Sequence, residues 1–214
     1  METRKKRRTV AQFLTDCAYS LVSFAVLVLL MWAAMFSFVL RTVQVDGVSM
    51  QDTLQNGERM VLFSALYTPQ RGDVVVANRL EKSETKRLNI SVYKEPIIKR
   101  VIGVAGDVVE VQEDAVYVNG AKLSEPYVHY ENTHPGITYV PEGTVFVMGD
   151  HRNASTDSRL TGPVKLENVM GHVVACLNHI TDMQRLPDAT YDNVPDKPSA
   201  ELLKKAQKEA VVDE

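Results

Sequence analysis

The sequence predicts a mainly β protein with one membrane-crossing helix near its N-terminus. Two observations lead there. From Cys17 to Leu40 no residue is charged, a span of roughly 36 Å as a helix against a hydrocarbon core of roughly 30 Å. Beyond it, apolar residues come in short, mostly β-branched runs separated by turn signals, and no 3.6-residue period persists.

Residues 1–16 form a basic N-terminus in which Arg4, Lys5, Lys6, Arg7 and Arg8 cluster. The positive-inside rule keeps this run cytoplasmic. The anchor follows at 17–40, closed by Asp16 on one side and Arg41 on the other. Its apolar core exceeds the ~7–15 residues of a cleaved leader's core. No small-x-small site lies just after it, since Thr42-Val43-Gln44-Val45 reads as a strand. A permanent anchor is therefore expected, with everything after Arg41 outside the cytoplasm.

Residues 41–186 are expected to be the β domain. Strands are read at Val74–Val76, Val108–Val111, Val116–Val118 and Val145–Val147. Asn56-Gly57, Arg71-Gly72-Asp73, Gly106-Asp107, Asn119-Gly120 and Gly149-Asp150 punctuate them. Val108–Leu123 reads as a hairpin going on to a further strand, with Asn119-Gly120 as a tight turn. Many short strands at this spacing predict a coiled antiparallel sheet or partly open barrel. The polar stretch Glu81–Lys94 reads as a loop or extended hairpin. Its sequon at Asn89 carries no assigned function.

Residues 187–214 read as a Pro/Asp-rich linker and a short amphipathic helix within Ser199–Val212. Leu202, Leu203, Ala206 and Ala210 share one side of that helix, which is expected to dock on the surface or fray.

With 24 basic and 27 acidic residues, the net charge is −3, which gives no electrostatic case for nucleic acid. Two cysteines, Cys17 and Cys176, are too few and too far apart for a disulfide scaffold and are expected to be buried, unreactive thiols. His129, His134, His151, His172 and His179 show no metal-ligand pattern. No metal or other cofactor is expected.

Three segments could carry chemistry. Gly47-Val48-Ser49-Met50 begins shortly after the anchor, so a nucleophile there would act at the membrane surface. By itself Ser49 reads as a turn or surface serine. In Ile97-Ile98-Lys99-Arg100-Val101-Ile102-Gly103, strand alternation puts Ile97, Lys99 and Val101 on one face. If that face is buried, the lysine is desolvated and becomes a candidate general base toward a hydroxyl. An edge-strand lysine is the other reading. The third segment, Gly149–Arg159, places dense polar side chains straight after a core strand, a frequent site arrangement and also a plain solvated loop.

In order and spacing, these three segments resemble the signature boxes of type I signal peptidases. Ser49-Met50 matches the serine–methionine pair after the anchor. Asp52 stands where the family usually has proline before Thr53-Leu54. Lys99-Arg100-Val101-Ile102-Gly103 matches the lysine–arginine box. Gly149–Arg159 matches the last box, with His151 for the usual asparagine, and Gly162-Pro163-Val164 also fits. The similarity covers roughly residues 15–180.

The resemblance implies a membrane-anchored serine endopeptidase with a coiled β catalytic domain. It would remove signal peptides from exported preproteins, cutting after small residues at −1 and −3. Its partners would be those signal peptides and membrane lipid. Ser49 would be the nucleophile and Lys99 the general base. Ser155 would orient the lysine amine, and Asp150, Asp157, Arg100 and Arg159 would brace the site. Val45, Met50, Leu54 and Ile98 would line the shallow substrate pockets. Some members carry a hydroxyl residue where this chain has Gly47, so the oxyanion hole would rest on the Ser49 N–H and another donor. The alternative is a silent, membrane-tethered relative that binds peptides or assists another peptidase.

Overall fold

The computed structural model describes residues 10–51, 53–64, 67–78, 96–129, 131–179, 182–184, 186 and 190–210. The chain divides into two units, Met1–Leu40 and Arg41–Glu214. The basic run at Arg4–Arg8, Asp52, and the stretch Glu81–Lys94 with its sequon lie outside the described residues.

The first unit is one helix, α1 (Val10–Val39). It starts earlier than the uncharged stretch, and Leu40 already belongs to the next strand. Once a helix is nucleated, each further residue adds one hydrogen bond. Nothing between Val10 and Asp16 breaks the pattern, and the Thr15 hydroxyl donates back to the Gln12 carbonyl at 2.9 Å. Within α1, Gln12–Ala34 is long and apolar enough to cross a membrane. Cys17 is exposed on this helix rather than buried as the sequence suggested, while Cys176 is buried. Among the described residues of its unit, no other element covers this helix.

The second unit is built on two antiparallel sheets. In chain order the strands are β1 (Leu40–Gln44), β2 (Arg59–Phe63), β3 (Val74–Asn78), β4 (Pro96–Val104), β5 (Val108–Val111), β6 (Val116–Val118), β7 (Ala121–Lys122), β8 (Gly136–Tyr139), β9 (Thr144–Met148), β10 (Val164–Lys165), β11 (Val169–His179) and β12 (Asp182–Gln184). The larger sheet runs β1-β2-β11-β3-β4-β9-β10, with β12 added to β11. The smaller runs β7-β6-β5-β8. Asn119 and Gly120 both have positive φ, 53° and 86°, as a tight turn between β6 and β7 requires.

β4 lies inside the larger sheet, paired with β3 over Pro96–Arg100 and with β9 from Arg100 onward, and Lys99, just before the β9 pairing begins, is buried rather than exposed. Both faces of this strand are covered. Ile98 packs with Val45, Met50, Leu54, Val74 and Val76. Val101 packs with Val75, Val145 and Val147 on the other side. A strand buried on both faces must satisfy or neutralise any charge it carries, which makes Lys99 and Arg100 informative.

Of the two forms expected for the tail, docked or frayed, the described residues take the docked one. Residues 190–210 are part of the second unit rather than a loose linker and helix. Thr190 bridges to Ser124, the Tyr191 hydroxyl donates to the Val101 carbonyl at 3.3 Å, and Asn119 Nδ2 donates to the Pro195 carbonyl at 2.8 Å. Helix α3 (Ala200–Ala210) lays Leu202, Leu203 and Ala206 on Val108 and Ile137, and Lys205 pairs with Glu110 at 2.9 Å. Its apolar stripe covers a sheet face that water would otherwise reach.

Candidate active site

Ser49 stands in the turn that follows β1. Gln51 N–H donates to the Val48 carbonyl at 3.1 Å and Leu54 N–H to the Met50 carbonyl at 2.8 Å. Gly47 enters this turn at φ 109°, a left-handed geometry that favours glycine, and its N–H donates to Asn56 Oδ1 at 3.1 Å. Val45 before it and Met50 and Leu54 after it sink into the core, which pins the turn around a half-buried Ser49.

Lys99 reaches this serine from β4. Its Nζ stands 2.6 Å from Ser49 Oγ and donates to the Ile98 carbonyl at 3.0 Å. The lysine is only 3 % exposed, and burial disfavours an ammonium ion. A neutral amine keeps one lone pair, and a hydroxyl at 2.6 Å can hand its proton to it.

Arg100, the next residue, is fully buried and satisfied differently. Its guanidinium meets Asp150 through two bonds of 2.9 and 2.8 Å and donates to the Gly72 carbonyl at 3.0 Å. It also lies 3.9 Å above the Tyr127 ring. Burial works against the cation, but the Asp150 hydrogen bonds and charge outweigh it and push its pKa above the ordinary value. The Asp150 carboxylate also accepts from the Thr53 hydroxyl at 2.6 Å, only four residues after the nucleophile. Thr53→Val keeps the shape and removes that bond. It is expected to lower unfolding free energy by about 1.5–3 kcal/mol, the range for a hydrogen bond to a charged group. Thr53→Ser should restore most of the loss in a thermal melt.

The segment after β9 folds back around Gly149. Asp157 accepts from the Gly149 N–H at 2.9 Å, from the Ser155 hydroxyl at 2.7 Å, and from Arg159 Nε and Nη2 at 2.8 Å each. It also caps the short helix α2 (Ser158–Thr161). Burial alone would raise its pKa, but the Arg159 hydrogen bonds and charge, then Gly149 and Ser155, hold it below the usual carboxylate value. Its stabilising contribution is therefore present above the ordinary carboxylate range and lost as pH falls through the lowered value. By donating to Asp157, the Ser155 hydroxyl keeps its lone pairs for accepting.

Gly149 is the point of closest approach. A Cβ there would stand 2.5 Å from the Ser49 carbonyl oxygen and 2.6 Å from Ser155 Cβ. The Ser49 carbonyl in turn accepts from the His151 N–H at 3.1 Å. The structure thus brings Ser49, Lys99, Ser155, Arg100, Asp150, Asp157 and Arg159 into one connected constellation. Val45, Met50, Leu54 and Ile98 form a single buried cluster beside it.

Sequence reasoning passed over three participants. Arg152 is buried, donates from Nε to the Gly149 carbonyl at 3.2 Å, and pairs with Glu125 and Asn132. Thr53 and Gly149 are the others. Arg152 sits inside the polar run after a core strand, the one signal that could have marked it. Its partner Glu125, 27 residues upstream, left no local sign.

A family description, signal peptidase, peptidase S26, matches residues 18–178. The chain belongs to this family. Signal peptidase I of Bacillus licheniformis is 34 % identical over 73 % of this chain and 84 % of its own. Signal peptidase IB of Staphylococcus aureus (strain COL) is 31 % identical over 64 % of this chain and 76 % of its own. A crystal structure of a signal peptidase I from Enterococcus faecalis V583 aligns with 50 % of this chain and 98 % of that one, at 31 % identity and a TM-score of 0.40. Membership makes this chain a serine endopeptidase of the signal peptidase type. The family match covers Ser49, Lys99 and Gly149–Arg159, whereas α3 and the segment before it lie beyond it.

Proposed function

We propose that this chain removes N-terminal signal peptides from exported preproteins, with Ser49 as nucleophile and Lys99 as general base. The carrying observation is the buried Lys99 Nζ standing 2.6 Å from Ser49 Oγ, in a chain whose relatives are named signal peptidase I.

The reaction is acyl transfer. Ser49 Oγ attacks the carbonyl carbon of the −1 residue while its proton moves to Lys99 Nζ. The C–N bond breaks and the leaving amine takes that proton. Water then attacks the acyl-enzyme as Lys99 accepts its proton, the ester C–O bond breaks, Lys99 returns the proton to Ser49 Oγ, and the cut leader departs as a carboxylic acid that ionises in solvent. The Ser49 N–H and a second donor near Gly47 stabilise the oxyanion. Asp157 orients Ser155, and Ser155 orients the amine. Asp150 neutralises Arg100, so the adjoining cation is paired and does not disturb Lys99.

A place for the substrate follows from the sheet. β9 pairs with β4 only from Arg100 onward, while Pro96–Lys99 pair with β3 on the opposite side. An extended leader adding beside 96–99 gains main-chain hydrogen bonds. Its −1 and −3 side chains then share the Ile98 face, against Val45, Met50 and Leu54, where little room favours small residues. The apolar span in α1 anchors the chain, and the basic run at its start keeps that end cytoplasmic, so cleavage occurs outside.

The test uses the detergent-solubilised full chain and a secretory precursor with alanine at −1 and −3. Cleavage after the −1 alanine is expected, with loss of cleavage when −1 is phenylalanine. An uncut alanine precursor, under conditions where another member of the family cuts it, would overturn the proposal.

A further inference from the structure

The tail brings one side chain to the strand that carries Lys99. Tyr191 lies outside residues 18–178, the stretch that the family description matches. Its hydroxyl donates to the Val101 carbonyl at 3.3 Å, just beyond Lys99 and Arg100 on β4. The same carbonyl accepts the Gly72 N–H at 2.8 Å, and the Val101 N–H donates to the Asp73 carbonyl at 2.8 Å. Between Val101 and Gly103 the pairing of β4 with β9 shifts register. Such a shift interrupts the ladder and lets a strand bend, so whatever holds Val101 sets the line of β4 back through Arg100 and Lys99. The Tyr191 ring packs against the core cluster that contains Ile102, Phe146 and Met148. It also closes on Gly72, where an added Cβ would stand 3.3 Å from the ring.

We propose that Tyr191 is a positioning residue for the peptidase reaction: wedged between β4 and the turn Arg71-Gly72-Asp73, it holds the strand that aims Lys99 at Ser49. The inference rests on the endopeptidase reading above. The Gly72 carbonyl accepts from Arg100 Nη1 at 3.0 Å. Arg100 is clamped to Asp150, and Asp150 holds Thr53 in the nucleophile turn. Tyr191 thus presses on one end of a run of contacts whose other end carries Ser49. A second tether from the tail reaches the same turn. Asn119 Nδ2 donates to the Pro195 carbonyl at 2.8 Å and to Asp107 Oδ1 at 2.9 Å. Asp107 accepts from Arg71 Nε and Nη2 at 2.8 and 2.5 Å, and Arg71 directly precedes Gly72.

These partners are a main-chain carbonyl and a glycine, so the tyrosine acts through β4. Burial first, then the Glu125 charge, push its phenol above the ordinary pKa, and at neutral pH it stays an uncharged donor. The dyad it supports is held at 2.6 Å, and a displacement of about 1 Å between reacting groups can lose 10²-fold in rate. The leader was placed beside 96–99 and against Ile98, short of Val101. Loss of the wedge should therefore fall on kcat and spare KM.

The experiment measures kcat and KM of the detergent-solubilised full chain on a leader peptide with alanine at −1 and −3, well below the melting temperature of every variant. Tyr191→Ala removes the wedge and is expected to lower kcat by about 10–30-fold with KM unchanged within about twofold. Tyr191→Phe keeps the ring against Gly72 and loses one neutral hydrogen bond, so it should recover most of that loss and stay about 2–5-fold below the parent. Leu203→Ala loosens the same tail where α3 packs on Val108 and Ile137. It should lower the melting temperature and leave kcat within about twofold. Parental kcat in Tyr191→Ala, or an equal loss in Leu203→Ala, would overturn the positioning role and leave the peptidase reading intact. Should the alanine variant not fold, the phenylalanine variant decides, and parental kcat there overturns the role. A parent chain that cuts no leader would overturn the peptidase reading and the role with it.

Discussion

Lys99→Met is expected to abolish leader cleavage without unfolding the protein. Methionine matches the length of the lysine stem and needs no hydration, so a position that is 3 % exposed accepts it readily. What disappears is the amine 2.6 Å from Ser49 Oγ. Removing a general base costs about 10²–10⁴ in rate, and removing a nucleophile on the order of 10⁶. Ser49→Ala should therefore be at least as severe. Because the two groups act as one unit, the double variant should be no slower than the worse single variant. The same amine sets a pH dependence. Only its neutral form can accept the serine proton, so cleavage should rise with pH as the amine loses its proton. Initial rates on a fixed precursor, with thermal melts of each variant, test this. A flat pH profile, or a Ser49→Ala variant that still cuts, would remove the dyad from the mechanism.

Gly149→Ala is expected to have the second largest effect, and it acts through position alone. The added methyl would overlap the Ser155 hydroxyl and stand 2.5 Å from the Ser49 carbonyl oxygen. One obstacle is main chain rather than a flexible tip, so the nucleophile turn or the loop after β9 has to move. Overpacking of this kind costs about 1–3 kcal/mol of stability. The catalytic cost should be larger in proportion, because a shift of about 1 Å between reacting groups can lose 10²-fold in rate. The expected outcome is a kcat at least about 10²-fold lower, with a folded protein that melts a few degrees earlier. A variant with full activity would mean that the contact between the Ser49 turn and Ser155 does not set the dyad.

Much of the local structure was legible in the residues. The uncharged stretch Cys17–Leu40 marked the helix, although α1 extends back to Val10 because helix propagation does not stop where hydrophobicity does. The β-branched runs became β3, β5, β6 and β9, and Asn119-Gly120 became the turn between β6 and β7. The long strand β11 was harder to read. Its Gly171, at φ 154°, and its pairing register shifts interrupt the alternation that would have marked it. The tail was left between docked and frayed because its helix is short and its approach is rich in proline. Its docking depends on Val108 and Ile137, which are remote in sequence.

The sequence by itself determined the secondary structure of most strands and a helix long and apolar enough to cross a membrane, and the resemblance of its motifs to a family added Ser49 and Lys99 as a candidate pair. Periodicity, charge and motif spacing are local properties, and neighbouring residues suffice to set them. Only the tertiary structure decided that Lys99, just before the β9 pairing of β4 begins, is buried beside a hydroxyl instead of exposed to water. It alone paired Arg100 with Asp150, fastened Thr53 to that pair, and set Arg152 and Asp157 on the two sides of Gly149. These contacts join residues far apart along the chain, and they form because charges and polar groups forced into a two-faced core must each find a partner there.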